Sequence, residues 1–440
     1  NAGLGFTICR GLRELRTYQF PLDLVRERSP ERPVALVRPR SVSVAARWFQ
    51  DNLNADVFYA VKANPSPWVI ETLVEAGVTG FDVASLAEIE LVRSVSADAR
   101  LAFMHPVKSR GAITRAYFDH GVRTFALDSH DELVKILDAT GDARDLNLLV
   151  RMTVSADGAA YSLSGKFGVS VDQAPSLLLA TRQAVVDGLM GVCFHVGSQC
   201  MRPSAYEAAM AQVGRAISRA GVFVDIVDVG GGFPSVYPGM VPPDMGEYAD
   251  AIHRGFNEMP VPETTELWCE PGRALVAESS SVLCRVDLRK GDALYLNDGS
   301  YGSLFDATHS RWPFPTKLVR PDSIQGGAAS AELKPFRFYG PTCDSIDHMP
   351  GPFWLPADVQ EGDFIEIGML GAYGVAMSTG FNGYGEHDLA AVEDAPMASL
   401  YGLAPRSIPT VRTTAEEQAR KVVRLSRPKG RAGQRKQRRR

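Results

Sequence analysis

The sequence lacks any uncharged apolar run of the roughly 18 residues needed to cross a bilayer as a helix. Its longest candidate, residues 367–381, is short and rich in glycine, which suits buried strand and loop. Near the start stand Arg10, Arg13 and Arg16, without the apolar core of a signal peptide. Six cysteines occur in 440 residues, none in a CxxC pair and most within apolar strand-like runs. That distribution argues against a zinc site and against a secreted disulfide framework, so no metal, no membrane and a reducing cytoplasm are expected. No GxGxxG turn follows the first strand-like run, which counts against an open dinucleotide-binding sheet.

What is present reads as an ordinary globular chain long enough for two domains, with 45% apolar and 22% charged residues. Charge is unevenly placed. Residues 421–440 hold ten Lys or Arg and no acid, so the first 420 residues carry −14 against −4 for the whole. Such a basic segment cannot bury apolar surface and is expected to be disordered, either as a solvated tail or as a contact for polyanions.

From about residue 34 to 275, strand-like runs alternate with amphipathic helical stretches. The runs cover 34–38, 57–62, 80–84, 101–104, 124–127, 146–152, 190–195, 226–229 and 267–270. Alternation of this kind favours a parallel sheet covered by helices, and eight or nine units in this length suit a closed (β/α)8 TIM-type barrel. After about 276 helical spacing fades into strands separated by Gly, Pro and Asp, which predicts a mainly β domain over 276–400. The expected class is therefore α/β. Residues 1–33 would join the β domain, and 401–440 would form a tail, basic and disordered from about 421.

Unusual groups gather where the strands run out, the place where reactive residues collect in such barrels. Lys62 closes an otherwise uncharged run. It either snorkels to solvent or serves as an amine, which on partial desolvation loses its proton and condenses with an aldehyde. His195 and Ser198 follow the run at 190–194, His195 being either a structural histidine or a catalyst. Gly230, Gly231 and Gly232 either make a tight turn or aim backbone N–H groups at an anion. Glu270, Pro271, Gly272 and Arg273 end the next run; Glu270 and Arg273 could pair with each other, or meet a protonated ring nitrogen and a phosphate. An aldehyde-seeking lysine, a glycine nest, an arginine and a carboxylate make the set that pyridoxal phosphate requires.

At these positions the chain resembles the fold type III, barrel-type pyridoxal-phosphate-dependent basic amino-acid decarboxylases, nearest among them the ornithine decarboxylases. The resemblance runs in family order through segments 59–64, 81–85, 166–168, 195–198, 230–234, 270–273, 297–303, 340–344 and 371–373. It implies that Lys62 holds the coenzyme covalently, that His195 stacks on its ring and that Glu270 pairs with the ring nitrogen. Ser198, Gly232 and Arg273, with Tyr373 from the second domain, would hold the phosphate, and Asp82 and Arg151 would line the pocket. Cys343 would deliver a proton and Asp344 would face the substrate's distal ammonium, both completing a partner subunit's site in a homodimer. Taken alone, Cys343 reads as a buried inert thiol.

The Cys343-Asp344 pair suits a bare terminal ammonium, whereas relatives acting on diaminopimelate carry Cys-Glu. Phe305 and Asp306 fall where ornithine decarboxylases carry Tyr-Asp, after a connection several residues shorter. Asp306 would be a second anion for the amine, or a helix cap. Ornithine and lysine differ by one methylene, worth only about 1–3 kcal/mol to an apolar pocket. The expected reaction is ornithine to putrescine and CO2. Lysine to cadaverine, dual activity and diaminopimelate decarboxylation are the alternatives. A racemase on the same barrel and a catalytically inactive binding homologue are the competing classes.

Overall fold

Eight short strands close into a parallel barrel. The structure, a computed structural model, describes residues 15–155, 159–161, 165–321 and 328–407; the expected basic tail and Cys9 lie outside them. In chain order the barrel strands are β1 Asp56–Ala60, β2 Gly80–Val83, β3 Arg100–Phe103, β4 Thr124–Leu127, β5 Asn147–Thr153, β6 Met190–Cys193, β7 Ile226–Asp228 and β8 Glu266–Cys269. Each pairs in parallel with the next, and β8 returns to β1 through Trp268 opposite Asp56 and Cys269 opposite Val57. Most of their residues are buried, as expected for strands covered on both faces.

Local chemistry turns strand into helix after β2, β3 and β4. Ser85, Ser109 and Ser129 each accept from the N–H three residues on and so satisfy a donor the helix leaves open. After β2 the Glu88 side chain also reaches back to the Ala84 N–H, 2.6 Å away. Inside the barrel Phe58, Ala102, Met104, Ala126, Leu149, Cys193, Ile226 and Trp268 form one apolar cluster. Phe58 and Trp268 stack at 4.3 Å, with the Arg100 guanidinium over both rings.

The second sheet differs from the sequence expectation at one strand. Val34–Val37, which resembles the barrel runs in being wholly apolar, lies antiparallel to Ser280–Lys290 and parallel to Asp388–Val392. A continuous apolar run marks burial on both faces and does not say in which sheet. This sheet also takes Thr17–Tyr18, Ala293–Leu296, Leu333–Tyr339 and His348–Pro356, while Phe364–Ile367 pairs with both Ser280–Lys290 and Thr316–Val319. Among the described residues no helix is long and apolar enough to cross a membrane.

Arg38, directly after Val34–Val37, locks that strand in place. Its guanidinium is buried and bonds Ser281 Oγ at 2.9 Å, Glu366 at 2.8 Å and Asp394 at 2.7 Å. Replacing Arg38 by Ala would leave Glu366 buried without its cation. We expect a loss of roughly 3–5 kcal/mol of stability, measurable by denaturant titration.

Candidate active site

The barrel's inward-facing positions recur every second residue. Two residues beyond members of the apolar cluster, that spacing places ionisable side chains: Leu149 is followed by Arg151, Cys193 by His195, Ile226 by Asp228 and Trp268 by Glu270. Asp82 occupies the same face of β2 as Gly80. Thus an apolar floor is overlaid by a polar layer at the carboxyl ends of the strands.

Lys62 lies past the end of β1, in the single helical turn Val61–Ala63. Its Nζ stands 3.1 Å from Asp82 Oδ2, an ion pair between a side chain 47% exposed and a carboxylate 2% exposed. Burial lowers the lysine's pKa, but the Asp82 carboxylate beside it, with smaller contributions from Tyr373 and Glu270, outweighs that effect, and the net shift is upward. The expectation of an amine that readily loses its proton is therefore corrected: the surrounding carboxylates favour the ammonium.

Glu270 and Asp228 are buried together, close enough for their side chains to hydrogen-bond. Burial raises Glu270 well above the usual carboxylate range, and the charges of Asp228 and Asp82 add to it. Burial likewise pushes Asp228 up to about 6. Glu270 Oε1 is buried without a hydrogen-bond partner. His195 is held neutral, its pKa driven well down first by burial and then by the charges of Arg151 and Lys62. Its Nδ1 accepts from the Gly197 N–H at 2.9 Å, which leaves the proton on Nε2.

The three glycines divide their roles. Gly230 has φ +70°, and a Cβ there would stand 2.0 Å from the Phe194 carbonyl oxygen; its N–H is already donated to Asp228 Oδ1 at 2.8 Å. A Cβ on Gly232, at φ +99°, would meet the Gly197 carbonyl oxygen at 2.5 Å. Among the described residues, the N–H groups of Gly231 and Gly232 take no partner within the protein. These two, and not Gly230, are the donors left for an anion. Arg273 is buried nearby. Its Nη1 donates to Tyr237 Oη at 2.9 Å, and the guanidinium lies 4.2 Å from the Trp312 ring centroid and 4.9 Å from that of Tyr373. Tyr373 comes from the second domain at φ +57°, a left-handed conformation uncommon for tyrosine; its N–H donates to the Ala63 carbonyl at 2.8 Å, beside Lys62.

The remaining expected residues divide between this group and a separate loop. Asp306 stands 3.6 Å from Arg273 Nη2. Phe305 stacks on His309 with centroids 4.0 Å apart. Cys343 is exposed, its N–H donating to Asn382 Oδ1, and Asp344 Oδ2 accepts from Tyr301 Oη at 2.6 Å. Neither Cys343 nor Asp344 has a contact with the Lys62 group among the described residues. Sequence reasoning did not single out Asp228, Tyr237 or Trp312. The two-residue spacing from Ile226 would have found Asp228; the two aromatics sit in loops with no local pattern.

Pyridoxal phosphate suits this arrangement on its own terms. The orphaned Glu270 oxygen can accept from a protonated ring nitrogen, and the unpartnered glycine N–H groups and buried Arg273 suit a phosphate. Residues 40–277 match the family model described as the pyridoxal binding domain of pyridoxal-dependent decarboxylases. The chain is 31% identical over 350 residues to a lysine/ornithine decarboxylase of Selenomonas ruminantium, covering 78% of this chain and 84% of that one. It is 32% identical over 353 residues to antizyme inhibitor 2 of Xenopus laevis, with 74% and 73% covered. A solved structure of lysine/ornithine decarboxylase from Vibrio vulnificus complexed with cadaverine superposes with TM-score 0.71 at 30% identity, over 84% of this chain and 97% of that one. With this geometry and these matches, the chain belongs to the fold type III pyridoxal-phosphate-dependent basic amino-acid decarboxylase family and is an amino-acid decarboxylase that uses that coenzyme.

Proposed function

We propose that the chain decarboxylates L-ornithine to putrescine and CO2, as a homodimer whose two active sites are each completed by the partner. One observation carries the substrate class. Asp344 is held ionised: the Tyr301 hydroxyl, and then the Ile346 N–H, keep its pKa below the usual carboxylate value. Among the described residues no Lys or Arg pairs with it. An unneutralised carboxylate favours a bare terminal ammonium over a distal carboxylate such as diaminopimelate carries.

Bound pyridoxal phosphate supplies an electron sink for the pair that departing CO2 leaves behind. Lys62 would hold the coenzyme covalently and later release the product. Glu270 would keep the ring nitrogen protonated, His195 would pack against the ring as a neutral imidazole, and Asp82 would orient the Lys62 amine. Ser198, Gly231, Gly232 and Arg273 would bind phosphate, with Tyr373 alongside. Cys343 of the partner subunit would deliver a proton to the α-carbon, and Asp344 beside it would take the distal ammonium. Exposure of Cys343 suits both this role and a reducing cytoplasm, where a free thiol persists.

Lysine is the second substrate to weigh, because the Selenomonas relative is named for both amino acids. Release of CO2 from ornithine, lysine and diaminopimelate, compared by kcat/KM on one preparation, decides between them. We expect ornithine to lead and diaminopimelate to be turned over least; a lead for diaminopimelate would refute the role given to Asp344. In Asp344→Asn, KM for ornithine should rise at least about tenfold, the scale of one lost charged hydrogen bond.

A further inference from the structure

Arg273 is buried and permanently charged, and a buried cation needs compensation. Three of its neighbours, Tyr237, Trp312 and Tyr373, are neutral rings or phenols. Among the described residues Asp306 is the one carboxylate within ion-pair distance, its Oδ2 3.6 Å from Nη2. Asp306 and Trp312 reach Arg273 from a single segment: the short helix Phe305–His309 presents the carboxylate, and the loop after it returns as Trp312 N–H donates to the Asp306 carbonyl at 3.3 Å. The Asp306 side chain keeps 17% of its surface exposed, so a soluble cation can reach it while it remains beside the guanidinium.

We propose that Asp306 is a shared counter-ion: it competes with phosphate for Arg273, and the distal ammonium of substrate or product draws its charge off that competition, so that diamine and phosphate each strengthen the binding of the other. This rests on the assignment of Arg273 to phosphate and of a terminal ammonium to the substrate, and adds a coupling between them. The physical basis is like-charge repulsion. A phosphate arriving at Arg273 meets a carboxylate already paired with the same guanidinium. An ammonium on the carboxylate's exposed edge neutralises it and removes the penalty. Coupling between two bound ligands is reciprocal, so either may be titrated.

The test uses the full-length protein freed of coenzyme and inorganic phosphate as probe, titrated calorimetrically with and without saturating putrescine at matched ionic strength. For the unaltered protein we expect phosphate affinity to rise about fivefold or more when putrescine is present. Asp306→Asn, with its fold checked by circular dichroism, should bind phosphate more tightly than the unaltered protein and show no response to putrescine. Phosphate binding that is weaker or unchanged in Asp306→Asn would overturn the proposal, as Asp306 would then merely position Arg273. An unaltered protein indifferent to putrescine would overturn it without any variant. Release of CO2 from ornithine by the reconstituted enzyme reports separately whether the proposed reaction stands when the coupling fails.

Discussion

Lys62→Ala should lose the coenzyme's visible absorbance band together with turnover, kcat falling on the order of a thousandfold or more. Two effects of Lys62 can be separated. Its ammonium neutralises Asp82, a carboxylate only 2% exposed, and its nitrogen is the amine placed beside the polar layer at the barrel mouth. Removing the side chain abolishes both, and the unpaired Asp82 lowers stability as well. Lys62→Arg retains a cation that can still pair with Asp82 but cannot bond covalently to an aldehyde. We therefore expect Lys62→Arg to recover stability, read from thermal unfolding, and to recover neither absorbance nor activity. Near-normal turnover in either variant would remove Lys62 from the chemistry.

Mixing two inactive variants should restore activity if the sites are shared between subunits. Cys343 and Asp344 are fixed on an exposed loop by Asn382 and Tyr301, apart from the Lys62 group. The loop is stiffened from beneath: buried Asp347 accepts from both the N–H and the hydroxyl of Ser300 and of Thr342. A rigid, exposed display of two reactive side chains makes sense when the surface it meets belongs to a second copy. Unfolding and refolding an equal mixture of Lys62→Ala and Cys343→Ala would place half the molecules in mixed dimers, each with one intact and one doubly altered site. Activity should return to about a quarter of the unaltered enzyme. Sites contained within one subunit would return none, and that result would refute the shared arrangement.

Much of the barrel was legible because its strands are short, continuous apolar runs separated by capped helices, and Ser85, Ser109 and Ser129 announce the turns. The same signal misplaced Val34–Val37, since burial on both faces is common to a barrel strand and to the middle strand of another sheet. At the site, chemistry-bearing residue types at strand ends were readable, and Lys62, Asp82, Arg151, His195 and Glu270 do assemble. Their electrostatics were not. The lysine's pKa rises where isolated desolvation would lower it, because Asp82 and Glu270 come from other strands. Gly230 looked like an anion donor until Asp228, two residues earlier, claimed its N–H. Such outcomes depend on distances that local sequence does not carry.

Val34–Val37 has a consequence for how the molecule is made. Its neighbours in the sheet, Ser280–Lys290 and Asp388–Val392, are translated only after the entire barrel. At ribosomal speeds of about 5–20 residues per second, this apolar segment waits on the order of tens of seconds for its hydrogen-bonding partners. Throughout that interval the nascent chain carries an apolar strand with unpaired backbone groups, an aggregation hazard that follows from the topology alone.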